Sequence, residues 1–280
     1  MPTSALNKTL LSLGKWLMPP TCIVCGGGAE YRDLCHDCAT ALPWNRSCCA
    51  RCAQPLAIST VLCGACSAKL PPWTEAKSPF VYDFPVDSLL RQLKFSRRLP
   101  NAKVLGQLMA EWIAIVNQRR PDVLVPVPLH WRRQLRRQFN QATAIARPVG
   151  QRLKIPVDGR VCRRRYRTPQ QSGLPARDRR RNLRNAFVVR GDIRNAHLAI
   201  IDDVMTTGST LAELSKVLLH AGAARVDVWT VARVAAPGVQ SSSGFASPAW
   251  PSPRVEGGNG DISRAVYGFS GRQRFCWDLR

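Results

Sequence analysis

No stretch of the chain reaches the roughly 18 uninterrupted apolar residues that a membrane helix needs, so a spanning helix is excluded as an organising feature. The apolar run from Leu10 to Met18 is short and broken by Lys15, and no small-residue cleavage site follows it. It therefore makes a poor secretory signal. It reads instead as an amphipathic helix within 1–20, ended by Pro19-Pro20, with Leu10, Leu13, Trp16 and Leu17 on one face. A cytoplasmic location follows as the expectation, compatible with association at the inner face of the membrane. The P-loop consensus (Gly, four residues, Gly-Lys, then Ser or Thr) is missing, which excludes a P-loop ATPase. Apart from cysteine knuckles there is no internal repeat.

Carboxylates are scarce. The chain has 18 Asp+Glu against 41 Lys+Arg, a net charge of +23. The excess is concentrated: Arg119–Arg190 holds 20 basic residues and three acidic ones (Asp122, Asp158, Asp178), a net of +17. Such a field attracts polyanions, whether nucleic acid, anionic membrane or phosphorylated small molecules. Solvated surface arginine is the competing reading.

Cysteine is abundant but clustered. Nine of the eleven lie between Cys22 and Cys66, forming four CxxC pairs: Cys22/Cys25, Cys35/Cys38, Cys49/Cys52 and Cys63/Cys66. The gaps between pairs are nine, ten and ten residues, with Cys48 spare. A CxxC turn puts two thiolates on one side of a knuckle, and two knuckles complete a tetrahedral zinc shell. A disulfide framework would need an oxidising compartment and a secretion signal. Four evenly spaced pairs are also more than a redox motif requires. Two structural zinc ions are predicted. Pairing of consecutive knuckles is the simplest assignment, and an interleaved one (first with third, second with fourth) remains open. Cys162 and Cys276 fall outside the pattern, as ordinary thiols.

Beyond Pro71-Pro72 the pattern alternates between strand and helix. Val81–Phe84, Asp122–Pro128, Ile155–Val157, Leu198–Ile201 and Val226–Val231 read as strands. Val86–Phe95, Val104–Gln118, Phe139–Leu153 and Leu211–His220 read as helices. The alternation predicts an α/β fold with a mostly parallel sheet.

The most informative segment is His197–Leu211, HLAIIDDVMTTGSTL. An apolar strand delivers Asp202 and Asp203 to its carboxyl end, where open α/β sheets bind ligands. Gly208 allows close backbone approach. Loop amides and the next helix's N-terminus form an anion nest, and Thr206, Thr207, Ser209 and Thr210 add hydroxyls. The carboxylates would repel phosphate, so they suit ribose 2′- and 3′-hydroxyls or hydrated magnesium. A purely structural helix cap would not need so many hydroxyls after an Asp pair.

DDVMTTGST resembles the phosphoribosyl-pyrophosphate motif of type I phosphoribosyltransferases. More widely, residues of about 10–234 resemble the competence-protein ComF family, including GntX-type members. The landmarks are WLMPPTCIVCG, QLKFSRR, VPVPLH, FNQA, QSGLPARDRRRNLRNAF and IIDDVMTTGST, in family order. The resemblance implies a double zinc ribbon at 21–70 and a phosphoribosyltransferase-like domain at 75–235. It implies that Asp202 and Asp203 address the ribose hydroxyls and that Thr206, Thr207, Gly208, Ser209 and Thr210 hold the 5′-phosphate. Val127, Pro128 and Leu129, within Val125–His130, take the position of a pyrophosphate loop. Arg177, Arg179, Arg180 and Arg181 take that of a mobile hood, spanning Arg163–Arg184. Gln138 stands where the family pattern has a glycine before Phe139. The family also stops soon after a segment like VWTVARV, whereas here a Ser/Pro/Gly-rich stretch at 236–280 follows, which reads as a disordered tail.

Three functions are compatible with this pattern. One is a ComF-type factor for DNA uptake or use of external DNA, binding phosphoribosyl pyrophosphate with magnesium and also single-stranded DNA, beside proteins of the uptake machinery. A second is a conventional enzyme moving phosphoribose to a nitrogenous acceptor, for which no base-recognition element is visible. A third is a zinc-ribbon adaptor with a vestigial pocket, which the intact Asp202–Thr210 motif disfavours. The first is preferred. Trp131, Phe139 and Tyr166, near the basic run, are candidates for stacking on bases, with Phe139 better suited to the core.

Overall fold

The structure, a computed structural model, describes residues 20–29, 33–57, 60–117, 119–129, 139–164 and 186–236. The expected N-terminal helix and C-terminal tail thus fall almost wholly outside the described residues. The described residues belong to two compact units, divided between Leu42 and Pro43.

The first unit is a cysteine knuckle followed by a short helix. Cys22 N donates to Gly27 O (2.7 Å) and Gly26 N to Cys22 O (2.9 Å), which closes the turn between Cys22 and Cys25. Gly26 sits at φ +74°, a left-handed geometry that glycine adopts without Cβ strain. Helix α1 (His36–Thr40) begins directly after Cys35, which stands at its N-cap, and carries Cys38.

The second unit opens with the same plan. Cys49 N donates to Gln54 O and Ala53 N to Cys49 O, each 2.9 Å. Cys63 is the N-cap of helix α2 (Gly64–Ala68), which carries Cys66. The remainder is a parallel sheet with helices. Strands β1 (Ala76–Lys77) and β2 (Phe80–Val81) both pair in parallel with the last strand. Helices α3 (Val86–Ser96) and α4 (Leu99–Val116) follow, then β3 (Val123–Pro126) and α5 (Gln141–Leu153). Next come β4 (Cys162–Arg164) and β5 (Phe187–Val189), which form a separate antiparallel ribbon. The chain then runs through β6 (His197–Met205), α6 (Ser209–His220) and β7 (Arg225–Arg233). The spatial order is β1–β7–β6–β3, with Ile200 of β6 between Val125 of β3 and Val228 of β7.

The sheet is mostly parallel, as the alternation of apolar runs predicts. Residues 226–232 of β7 are all buried, as a strand covered on both sides requires. Leu198, Ile200, Val226 and Val228 share a core with Leu211, Leu214 and Leu218 of α6. Helix α5 packs on β3, β6 and α4. Gly106 of α4 makes that last packing possible: a Cβ there would lie 2.6 Å from Pro148 Cγ and 2.8 Å from Ile145 O.

Most boundaries shift by a residue or two, and four differences are larger. Helix α4 starts at Leu99 rather than Val104, because Pro100 fits a helix's first turn, where no backbone N–H is required. Strand β6 does not end at Ile201 but continues through both aspartates to Met205. Residues Ile155–Val157 make only an isolated parallel bridge, Leu124 with Val157, instead of a strand. The first strand of the sheet, β1, precedes the expected start at Val81.

Candidate functional site

Two sulfur clusters stand out. Cys22, Cys25, Cys35 and Cys38 form one group and Cys49, Cys52, Cys63 and Cys66 the other, with all ligand atoms of each group within 4.8 Å of one another. Consecutive knuckles therefore pair, and the interleaved alternative is excluded. Cys25 Sγ lies 3.8 Å from Cys35 Sγ and Cys52 Sγ 3.6 Å from Cys63 Sγ. Tetrahedral zinc with bonds of about 2.3 Å sets sulfurs about 3.8 Å apart. Charge points the same way. The hydrogen bond between Cys52 and Cys49 pulls the Cys49 thiol down to about 4 and, ahead of burial and the Cys49 charge, pushes Cys52 up. Four thiolates at this spacing repel one another, and a dication removes the repulsion. The tetrads fit two structural zinc ions.

The second site lies where β3 ends against β6, which runs on through Asp202 and Asp203 to Met205. Pro126 pairs with Ile201, and Val127 N donates to Ile201 O (2.9 Å). This register sets Val127 against β6 just before Asp202, with Pro128 and Leu129 next in the chain. Asn140 holds the first of them: its Nδ2 donates to Val127 O (3.0 Å) while its Oδ1 accepts from Ala142 N (3.0 Å) and caps α5. One side chain thus fixes both a loop and a helix start.

After Met205 the chain turns through Thr206 and Thr207, both exposed, to Gly208 at φ +72°, the N-cap of α6. Thr207 Oγ1 and Ser209 Oγ are 2.8 Å apart. Ser209 and Thr210 stand in the first turn of α6, where the helix dipole favours an anion. The five hydroxyl and glycine positions from 206 to 210 are therefore contiguous around one helix N-terminus.

The aspartates are less open than the sequence suggests. Asp203 is only 9% exposed, and its Oδ2 meets Lys94 Nζ of α3 at 2.6 Å. Each carboxylate also accepts a backbone hydrogen bond: Asp203 N donates to Asp202 Oδ1 (2.9 Å) and Val204 N to Asp203 Oδ1 (2.8 Å). Burial, followed by the neighbouring Asp203 charge, pushes the Asp202 carboxyl up to about 8. One ammonium thus serves a pair of adjacent carboxyl groups.

Sequence reasoning assigned no chemistry to Lys94, Asn140 or Arg233, although QLKFSRR, FNQA and VWTVARV were in view. Each acts through a partner distant in the chain, and spacing carries no sign of it. Arg177, Arg179, Arg180 and Arg181 lie outside the described residues, as do His130, Trp131, Gln138 and Tyr166. Phe139 is half-buried. Strands β4 and β5 flank residues 165–185 in sequence, with Arg164 opposite Phe187 and its guanidinium 5.6 Å from that ring's centre. No helix among the described residues is long and apolar enough to cross a membrane.

Residues 13–67 match the family model of the double zinc ribbon domain. The chain is 39% identical over 208 residues to the DNA utilization protein YhgH of Salmonella typhimurium, covering 73% of this chain and 92% of that protein. It is 33% identical over 223 residues to Competence protein F of Haemophilus influenzae, covering 76% of this chain and 96% of that protein. Among solved structures, purine phosphoribosyltransferase from Pyrococcus horikoshii overlays on 46% of this chain and 80% of its own at 17% identity and a TM-score of 0.29, a likeness too distant to fix the fold by itself.

Proposed function

The chain belongs to the family of the DNA utilization protein YhgH and Competence protein F, and on that premise we propose that it serves the uptake or use of external DNA by binding phosphoribosyl pyrophosphate and single-stranded DNA. The observation that carries the first ligand is the place where β3 ends against β6. Loop 127–129 from β3 and the Asp202–Thr210 segment from β6 both lie at the carboxyl edge of a parallel sheet.

Chemistry divides the ligand between them. The α6 N-terminus, with Gly208 in its left-handed turn and four hydroxyls around it, suits a phosphate dianion. Asp202 and Asp203 suit the ribose 2′- and 3′-hydroxyls. Each carboxylate, once ionised, can accept from one hydroxyl of the diol. Loop 127–129, steadied by Asn140, is the place for the pyrophosphate. Hard oxygen donors also suit magnesium, which Asp202 and Asp203 would hold through water, and which would offset the pyrophosphate charge.

The second ligand rests on charge. Arg119–Arg190, with its net of +17, carries far more than one pyrophosphate requires. Arg177, Arg179, Arg180 and Arg181 are the residues proposed to close over the ligand and to meet the nucleic-acid backbone. Proteins of the DNA-uptake machinery are the proposed partners. Calorimetry with phosphoribosyl pyrophosphate and magnesium, repeated with single-stranded DNA present, tests both. Saturable heat from each is expected, and absence of heat from the phosphoribosyl ligand overturns the reading.

A further inference from the structure

The second cysteine tetrad reaches the phosphate loop along two separate lines of contact. The first runs through Arg233, the last residue of β7. Its Nε donates to Cys52 O (3.1 Å), while Nη1 donates to Met205 O (3.0 Å), Thr206 O (2.5 Å) and Val234 O (2.8 Å). One guanidinium therefore spans a ligand residue of the tetrad, the last carbonyl of β6 and the first carbonyl of the loop.

The second line runs through Trp73, which is 4% exposed. Its Nε1 donates to Arg51 O (2.5 Å), and Arg51 Nη2 donates back to Trp73 O (2.7 Å). Arg51 lies inside the Cys49–Cys52 knuckle. At the other end, a Cβ placed on Gly208 would stand 3.0 Å from Trp73 Cη2, so the indole abuts the residue that turns the loop.

We infer that Arg233 and Trp73 are positioning residues that set the phosphate loop from the second tetrad, so that metal occupancy there and anion occupancy of the loop are coupled. The geometry explains how. A trans peptide unit points its C=O and N–H in opposite directions. Holding the carbonyls of Met205 and Thr206 on Arg233 therefore turns the amides of Thr206 and Thr207 away from it, toward the side left for an anion. Trp73 fixes the next point, Gly208, whose φ of +72° starts α6. When the knuckle loses its metal, the carbonyls of Arg51 and Cys52 lose their fixed places, and both lines of contact slacken together. Both lines of contact start from the second tetrad.

Coupling is reciprocal: whatever factor metal confers on ligand binding, the ligand confers on metal binding. An Arg233 that merely filled space would leave that factor at one in both directions. The inference rests on the anion site proposed above, and its test has one arm that needs no ligand.

That arm is hydrogen exchange at amides 205–211 in the full chain, comparing the parent with Cys25→Ser, Cys63→Ser and Arg233→Lys. Faster exchange there, by about tenfold, is expected in Cys63→Ser and unchanged exchange in Cys25→Ser. Arg233→Lys keeps the charge but lacks the fork needed to hold Cys52 and the loop together. It should retain both zinc ions, so it stands in where Cys63→Ser fails to fold, and it should show the same faster exchange. The second arm follows zinc loss to a chromophoric chelator. Phosphoribosyl pyrophosphate with magnesium should slow release of one of the two ions at least about fivefold in the parent, the low end of common coupling factors, and of neither in Arg233→Lys. Parent-like exchange in a folded Arg233→Lys overturns the inference, whatever the ligand does. Faster exchange with no heat of ligand binding upholds it and instead overturns the phosphoribosyl reading.

Discussion

Lys94 Nζ lies 2.6 Å from Asp203 Oδ2, an ion pair that ties α3 to the carboxyl edge of β6, with the two side chains 24% and 13% exposed. The ammonium supplies positive charge to the aspartate pair in the absence of any ligand. It also restrains Asp203 at the point where ribose hydroxyls or a hydrated cation would bind.

Lys94→Met should leave both carboxylates without that counter-charge. Breaking a pair this enclosed costs stability, here about 1–3 kcal/mol once partial exposure is allowed for. Magnesium should offset part of the loss, since it can take the ammonium's electrostatic place. The check is thermal melting at pH 8 with and without magnesium. A gap between variant and parent that stays the same in magnesium would separate Lys94 from the cation site.

Asp202 makes stability depend on pH in a stated direction. Its folded carboxyl is raised above the ordinary Asp value, to about 8, by burial and then by Asp203. The native state therefore binds the proton more tightly than the unfolded chain does. The resulting stability is fully present below about pH 4 and declines as pH rises toward about 8. Asp202→Asn should flatten this part of the urea-stability profile. Binding of a magnesium complex should also expel the proton. The calorimetric enthalpy of ligand binding near pH 7 should then vary with the buffer's ionisation enthalpy in the parent and not in Asp202→Asn.

The two sulfur tetrads predict close to two zinc ions per chain by elemental analysis. Cys22→Ser should lose one ion and loosen the first unit, while the parallel sheet keeps its circular dichroism. Cys49→Ser should lose the other ion, whose knuckle belongs to the same unit as the sheet. Less than one zinc in the parent, with disulfides by mass spectrometry, would exclude the ribbon assignment.

Much of this architecture was legible before any coordinates. The runs LAII and VDVW announce strands buried on both faces, and four CxxC knuckles announce two metal sites. What stayed hidden follows from how little a sequence says about distant partners. Asp202 and Asp203 look like the end of a strand, because carboxylates ordinarily leave a sheet. Lys94, through its pair with Asp203, keeps one of them inside it. Strands of two or three residues, such as Ala76–Lys77 and Cys162–Arg164, are too short to show a period. Arg233 reads as the polar end of a strand, and only folding shows four carbonyls around it.

If the basic stretch tracks a phosphate backbone, affinity for single-stranded DNA should fall steeply with salt. Each neutralised phosphate contributes about 0.7 to the log–log slope for single strands, so several contacts give a slope of several units. Replacing Arg177, Arg179, Arg180 and Arg181 with Gln should lower that slope and weaken phosphoribosyl binding as well. A slope near zero in filter binding or fluorescence anisotropy would leave the arginines as solvated surface.

The aspartate pair offers the most direct test of the phosphoribosyl site. In the proposed pose Asp202 and Asp203 meet the ribose hydroxyls, directly or through magnesium-bound water, and the hydroxyls of 206–210 are engaged elsewhere by phosphate. Changing both residues to Ala removes acceptors that nothing nearby replaces. Each charge-assisted bond is worth about 1.5–3 kcal/mol. Losing two should weaken binding at least about a hundredfold, at 1.4 kcal/mol per tenfold. The fold should survive the change. Lys94, at 24% exposure, can swing its ammonium into water once Asp203 is gone, and the raised carboxyl of Asp202 shows that its charge is costly where it sits. Single-stranded DNA should bind as well as before or slightly better, because two negative charges leave a basic protein. A double variant with parent-like circular dichroism and parent-like affinity for phosphoribosyl pyrophosphate would remove Asp202 and Asp203 from the site.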